Sequence, residues 1–317
     1  MDHEKFSMEL SQLLLRTPVL RIPGRGRLGR QARIAIDRGE AIRPLPGILM
    51  STRVQSDPDA WIYANSLWRP SSVITGRASL RLHGLPGLAV PAVDVLLPYS
   101  FPDRGLLRFH CSPPPGSLIH RVQGGLVSTP AAAALFLGIR EDWDPICAAL
   151  FKGITRPEDI QAARDFLIRH RGAPEMDRTL RYISQMPWSV PELELHELLR
   201  KVGITGWRGN MPVLLHPTEN GQARARRCHP DAGFEAEKLA VEVNSEQYHS
   251  DSESFTANTL RARWFAAEGW TQMPVTPNQL RSRPNDFLAD LYSRLHRRHR
   301  PPGIPRVRYR PRAPFWF

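Results

Sequence analysis

Residues 238–249 read KLAVEVNSEQYH, the most informative run in the last third of the chain. From Lys238 to Asn244 the apolar and polar residues alternate, which is the period of a β-strand. Leu239, Val241 and Val243 then share one face, and Lys238, Ala240, Glu242 and Asn244 share the other. A carboxylate and an amide on one face of an otherwise apolar strand have two explanations. One is an edge strand with a wet face. The other is a divalent-cation site, in which a rigid strand holds an oxygen ligand.

Upstream of this run, Asp231 follows Pro230 and lies eleven residues before Glu242, a separation that a hairpin closes. On the N-terminal side, PELELHELLRKVG (191–203) has helical spacing with Glu192 at its start, and MPVLL (211–215) reads as a strand. TENGQARARR (218–227) reads as a polar, basic turn. On the C-terminal side, FTANTLRARWFAAEGW (255–270) reads as a helix stopped at Gly269, TQMPV as a short strand and DFLADLYSRLHRR as a closing helix. An Asp and a Glu on adjacent strands, with a helical Glu nearby, form the donor set that Mg²⁺-assisted phosphodiester hydrolysis needs.

The pattern Glu192, HELLRKVG, Asn210, Asp231, VEVNSEQYHSD, Arg261 and Gly269-Trp270 resembles the very-short-patch-repair-like endonuclease domains of the PD-(D/E)xK superfamily. The resemblance implies a restriction-endonuclease-like α/β domain. It makes Glu192, Asp231 and Glu242 candidate ligands of Mg²⁺ or Mn²⁺, and adds His249 as general base or phosphate contact and Asn244 as a weak metal or water ligand. Arg261 is expected to support the acids and to touch DNA. Two departures stand out. The family's Glu-x-Asp-Gly is Glu242-Val243-Asn244-Ser245 here, and Asn258 stands where an acid is expected on the following helix. Lys238, on the same strand face, is a candidate for the missing positive charge.

The front of the chain carries a looser likeness. RGRLGRQARIAIDRGEAIRPLPGILM, then VITGRASLRLHGL, then GLVSTPAAAAL resemble actinobacterial multidomain proteins with an AbiEi antitoxin-like N-terminal region. Two short helices (8–15 and 28–38, the latter ended by Gly39) followed by a bent hairpin suggest a winged-helix-like module over residues 1–56. Residues 57–187 form an α+β middle region. It has a helix in two pieces over 59–84, strands at VDVLLP, LLRFHC and SLIHRV, a turn at PPPG, and helices from about 130 to 187. The nuclease-like domain covers 188–296 and a basic Arg/Pro-rich tail 297–317.

Composition supports a polyanionic partner. Lys and Arg number 43 against 31 Asp and Glu, a formal charge of +12, which favours partners whose counterions can be released. An arginine-rich soluble protein explains the same balance without DNA. Arg224, Arg226 and Arg227 beside Asp231, with Arg297 and Arg298 at the start of the tail, are the candidate phosphate contacts. The three cysteines, Cys111, Cys147 and Cys228, form no CxxC pair, which argues against a zinc site or a disulfide scaffold and suits the cytoplasm. The acidic N-terminus does not read as a signal peptide, and no apolar run is long enough to span a membrane. GRGRLG (24–29) matches a dinucleotide fingerprint but follows Pro23 rather than a strand, and reads as a basic arm. Trp207 is a candidate for base stacking, with packing as the alternative. The expectation is a DNA-acting, metal-dependent endonuclease. Its rivals are an inactive nuclease-fold regulator or antitoxin and a defence-complex subunit that binds protein through its tail.

Overall fold

The run ILMS at 48–51 lacks alternation because both faces of the strand are covered. The computed structural model describes residues 10, 12–22, 26–112, 114–122, 125–168, 170–219, 222–244 and 252–297. In it β1 (Val19–Arg21), β2 (Ala41–Ile42) and β3 (Ile48–Ser51) form an antiparallel sheet in the order β1-β3-β2. Leu49 of β3 packs with Leu10, Leu14, and Ala32 and Ala35 of α1 (Arg27–Asp37). Ile48 and Met50, pointing the other way, join Trp61 and Val95 in a second core. Gly39, at φ 71°, turns the chain out of α1 where an L side chain would be strained.

The chain is mixed α/β and divides into two units, Met1–Asp177 and Arg178–Phe317. In the first, the two helical pieces expected over 59–84 are α2 (Pro58–Trp68) and α3 (Gly76–Leu82), but a strand, β4 (Val73–Thr75), lies between them. Three residues are too few for a period to register, and β4 is buried at every position, so neither face gives a polar signal. Four more strands follow: β5 (Val93–Leu97), β6 (Leu107–Cys111), β7 (Ile119–Val122) and β8 (Gly125–Ser128). The five-stranded sheet has the order β6-β5-β4-β8-β7, with β4–β8 and β5–β6 parallel and β4–β5 and β7–β8 antiparallel. The expected helices are α4 (Pro130–Ile139), α5 (Asp144–Phe151), α6 (Pro157–Asp165) and α7 (Ala173–Ile183), the last running across the boundary between the units.

The second unit opens with α8 (Val190–Lys201). Its Ser189 cap accepts from the Glu192 amide, and Pro191 sits in the first turn, where its missing N–H costs nothing. The basic turn at 218–227 contains strand pairings. β9 (Val213–Leu215) pairs antiparallel with β12 (Arg226–Cys228), and β10 (Thr218–Glu219) pairs with β11 (Gln222–Ala223). β13 (Ala232–Phe234) and β14 (Leu239–Val243) form the expected hairpin. After α9 (Ser252–Ala267), β15 (Thr271–Val275) joins β14 in parallel, which makes β14 the central strand. Helices α10 (Pro277–Ser282), not foreseen from the sequence, and α11 (Pro284–Arg294) complete the unit.

β14 is apolar on both sides, so the wet-edge explanation of its pattern fails. Leu239 and Val241 pack with Leu195, Leu198 and Leu199 of α8 and Phe287 and Leu291 of α11. Ala240, on the opposite face, meets Phe265 and Trp270. Glu242 shares the Ala240 face and is 6% exposed. Lys238 is not part of the strand. It takes φ 47° in the preceding turn, and its ammonium donates to the Glu268 carbonyl at the end of α9 (2.9 Å), where the helix dipole favours a cation. Its charge is therefore used there.

Candidate active site

The hairpin register sets the centre of the site. Ala232 pairs with Val241, so Asp231 and Glu242 come abreast at the open end of the β13–β14 ladder. The Val243 amide donates to Asp231 Oδ2 (2.6 Å), which fixes this carboxylate to the strand that carries Glu242. The Asp231 carbonyl in turn accepts from His196 Nε2 (2.7 Å). His196 is fully buried on α8 and lies against the Trp207 ring, with centroids 4.9 Å apart. Burial lowers its pKa to about 4 against the opposing pull of the Asp231 carbonyl, so the ring is a neutral donor.

Glu192 is buried beside this pair and fully engaged. Oε2 accepts from the Trp188 amide (2.8 Å) and from Asn210 Nδ2 (2.7 Å), and Oε1 accepts from the Ser189 hydroxyl (2.9 Å). Asn210, at φ 47°, uses the same amide group to reach the Met186 carbonyl (3.0 Å), and its backbone carbonyl meets His229 Nδ1 (2.9 Å). Gly209 precedes it, and any side chain there would overlap the Gln185 carbonyl and the His196 ring.

Arg261 supplies positive charge from α9. It lies four residues before the buried Phe265, so the two share one helix face, and the guanidinium sits 5.8 Å from the Phe265 ring centroid. Nη2 donates to the His229 carbonyl (2.7 Å) and stands 2.9 Å from Glu242 Oε1. That approach is ionic without hydrogen-bonding geometry, because Oε1 is buried with no hydrogen-bond partner.

Three carboxylates around one guanidinium leave excess negative charge in a desolvated place. Burial, then the charges of Glu192 and Glu242, hold the Asp231 carboxyl well above the usual range, against the Val243 amide and Arg261. Burial raises Glu242 to about 7, with Arg261 and the Gln272 side chain opposing and Glu192 adding to the rise. The centre is short of positive charge. A cation or protons would relieve it.

The remaining candidates are placed as follows. Asn244 is half-buried, and its amide extends the parallel ladder to the Val275 carbonyl (2.8 Å). Arg224, Arg226 and Arg227 are exposed on and before β12, which leads through Cys228 and His229 directly to Asp231, and Arg226 also lies over the Trp264 ring (5.7 Å). Arg297 donates to the Thr205 carbonyl (3.0 Å) and stands 3.4 Å from Glu237. Arg298, His249, the Asn258 side chain and the rest of the tail lie outside the described residues. Trp207 is a core residue whose indole N–H donates to the Ile204 carbonyl (2.9 Å). His229 is half-buried with its ring 5.0 Å from that of Trp188.

Sequence reasoning assigned no role to His196, Ser189 or Gly209. The Ser-Val-Pro-Glu run at 189–192 is a helix-start signature that could have shown Glu192 tied to its own N-terminus. Nothing in the sequence marks the bond from His196 to a carbonyl 35 residues away. Neither a protein-family model nor a curated protein matches this chain. Among the described residues no three His, Cys, Asp or Glu side chains are grouped closely enough to hold a metal ion, and no helix is long and apolar enough to cross a membrane.

Proposed function

We propose that the Arg178–Phe317 unit is a PD-(D/E)xK-type nuclease domain that hydrolyses DNA phosphodiester bonds with Mg²⁺ or Mn²⁺. The observation that carries this reading is the placement of Asp231 abreast of Glu242 on a buried hairpin, with Glu192 close enough to raise the affinity of Asp231 for protons. The donor set suits a hard cation. Mg²⁺ takes one or two carboxylates and keeps waters on its other positions, so a third protein ligand is not required. Glu242 Oε1, buried and without a hydrogen-bond partner, is an oxygen of that kind. Asp231 and Glu242 would hold the ion. When bound, it would activate a water and offset charge on the scissile phosphate.

The other residues prepare the place. Glu192, with both oxygens occupied, positions Asn210 and through it His229. Arg261 tethers the His229 carbonyl and partly neutralises Glu242. Exposed Arg224, Arg226 and Arg227 supply phosphate contacts beside the centre. The Met1–Asp177 unit, with its winged-helix-like front, would position the protein on DNA.

The second reading, a nuclease fold kept as a DNA-binding regulator or antitoxin without catalysis, draws on the Arg261–Glu242 contact and on Asn244. The first puts a protein cation where the ion would sit, and the second brings no charge. The deciding experiment incubates the purified full chain with plasmid and short duplexes in Mg²⁺, Mn²⁺ or EDTA, beside Asp231→Ala and Glu242→Ala. Metal-dependent nicking lost in both variants supports the nuclease. DNA binding without cleavage, unchanged by EDTA and by both substitutions, supports the regulator.

A further inference from the structure

The Met1–Asp177 unit contains a cavity of about 400 Å³ that no part of the nuclease reading uses. That size is within the range of small-molecule pockets. Its walls are apolar and partly aromatic, from Leu96 and Phe109 of the five-stranded sheet, Phe136 and Ile139 of α4, and Leu167 and Met176. The polar groups that reach it are Ser112, Cys111 and His110 from β6 and its end, His170, Arg140, and the Thr75 and Ser128 hydroxyls, which are bonded to each other (2.9 Å).

The hydrogen bonds fix what those groups can offer. The Gly172 amide donates to His170 Nδ1 (3.0 Å), so the proton of the neutral ring is on Nε2, which meets Ser112 Oγ at 2.8 Å. Burial lowers the His170 pKa and keeps the ring neutral. Nε2 is therefore a donor to Ser112. It cannot also accept the serine proton, so the pair is not arranged as a nucleophile and its base. The Ser112 hydroxyl hydrogen is left to donate elsewhere. On the same wall, His110 Nε2 stands 2.7 Å from Asp94 Oδ1, and Arg140 Nη2 lies 3.3 Å from His110 Nδ1. The Arg140 guanidinium also covers the Phe136 ring at 4.9 Å and is held 3.9 Å from Asp94. It is thus oriented by three neighbours while its side chain remains 45% exposed. The cavity presents two oriented donors, a hydroxyl and a guanidinium, above aromatic and aliphatic walls.

We propose that this cavity binds a small aromatic acid, with its ring against Phe136 and Leu96 and its carboxylate or sulfonate at Arg140 and Ser112. The apolar walls exclude a strongly hydrated ligand such as free phosphate, and the two donors favour an anionic end over a plain hydrocarbon. The test uses the full chain and two fluorescent probes that differ in a single group. One is 1-anilinonaphthalene-8-sulfonate, and the other is N-phenyl-1-naphthylamine, which lacks the sulfonate. The sulfonate probe should bind at one saturable site, and Ala132→Phe, which fills the cavity from α4, should abolish that site while thermal unfolding stays unchanged. Arg140→Gln, at the exposed rim, should weaken the sulfonate probe about tenfold and leave the neutral probe unaffected. Should Ala132→Phe fail to fold, the Arg140→Gln comparison decides alone. No saturable binding, sulfonate-probe binding that survives in a folded Ala132→Phe, or equal affinity of that probe for wild type and Arg140→Gln would each overturn the proposal.

Discussion

Replacing Glu242 by Gln should make the apo protein more stable at alkaline pH, although it removes a buried charge that faces an arginine. Gln mimics the protonated acid in size and hydrogen-bonding capacity. The folded protein raises the Glu242 pKa from 4.5 to about 7. At about 1.4 kcal/mol per pH unit, ionising this group in the fold costs about 3 kcal/mol more than in the unfolded chain. The sign follows from a raised carboxyl pKa. The cost is absent at pH 4.5 and below, grows as the unfolded state loses its proton first, and is complete above pH 7. Urea unfolding of wild type and Glu242→Gln, followed by tryptophan fluorescence, should therefore give nearly equal stabilities at pH 4.5. At pH 8 the variant should be ahead by about 3 kcal/mol. Millimolar Mg²⁺ should narrow the gap at pH 8 by stabilising wild type alone. A variant that is less stable than wild type at pH 8, or a difference that does not change with pH, would show that ionised Glu242 carries no net cost in the fold. The first result would mean that the Arg261 contact outweighs desolvation, and the second that it just offsets it.

Adding His196→Gln to the Glu242→Gln chain should isolate the buried imidazole. Its pKa falls from 6.5 to about 4 on folding, so the chain that keeps His196 should lose about 3 kcal/mol relative to the double variant as pH falls through that window, read from the same urea curves, with the contribution of Asp231 common to both. Arg281→Ala strands Glu194, whose carboxylate the Arg281 guanidinium contacts at 3.0–3.2 Å. It should cost about 2–3 kcal/mol at pH 7, and Glu194→Gln in the same chain should recover most of the loss. Gly209→Ala forces a methyl group onto the Gln185 carbonyl and the His196 ring and should cost about 1–3 kcal/mol by thermal unfolding. If the β12 arginines contact phosphate, changing Arg224, Arg226 and Arg227 together to Ala should flatten the dependence of log K on log salt by about 2–3, measured by duplex binding without metal. An unchanged slope would remove these residues from the DNA interface.

Local sequence was enough to fix the elements with long or strict periods. The alternation of residues 239–243, the helices at 190–201 and 252–267, and the hairpin that joins Asp231 to Glu242 were all legible, because pattern and separation fix them locally. Short elements were not. The strands Val19–Arg21 and Val73–Thr75 are too brief for a period, and in Val73–Thr75 full burial also removes the polar half of the signal. What the charged groups do depends on how the elements pack. It sends Lys238 to the end of α9, engages both oxygens of Glu192 at its own helix start, and places Arg261 against Glu242. It also encloses the cavity beside Arg140 from sheet and helices far apart in sequence. Charge pairing and cavity shape depend on which elements pack together, and that depends on burying the whole apolar surface at once rather than on any local run of residues.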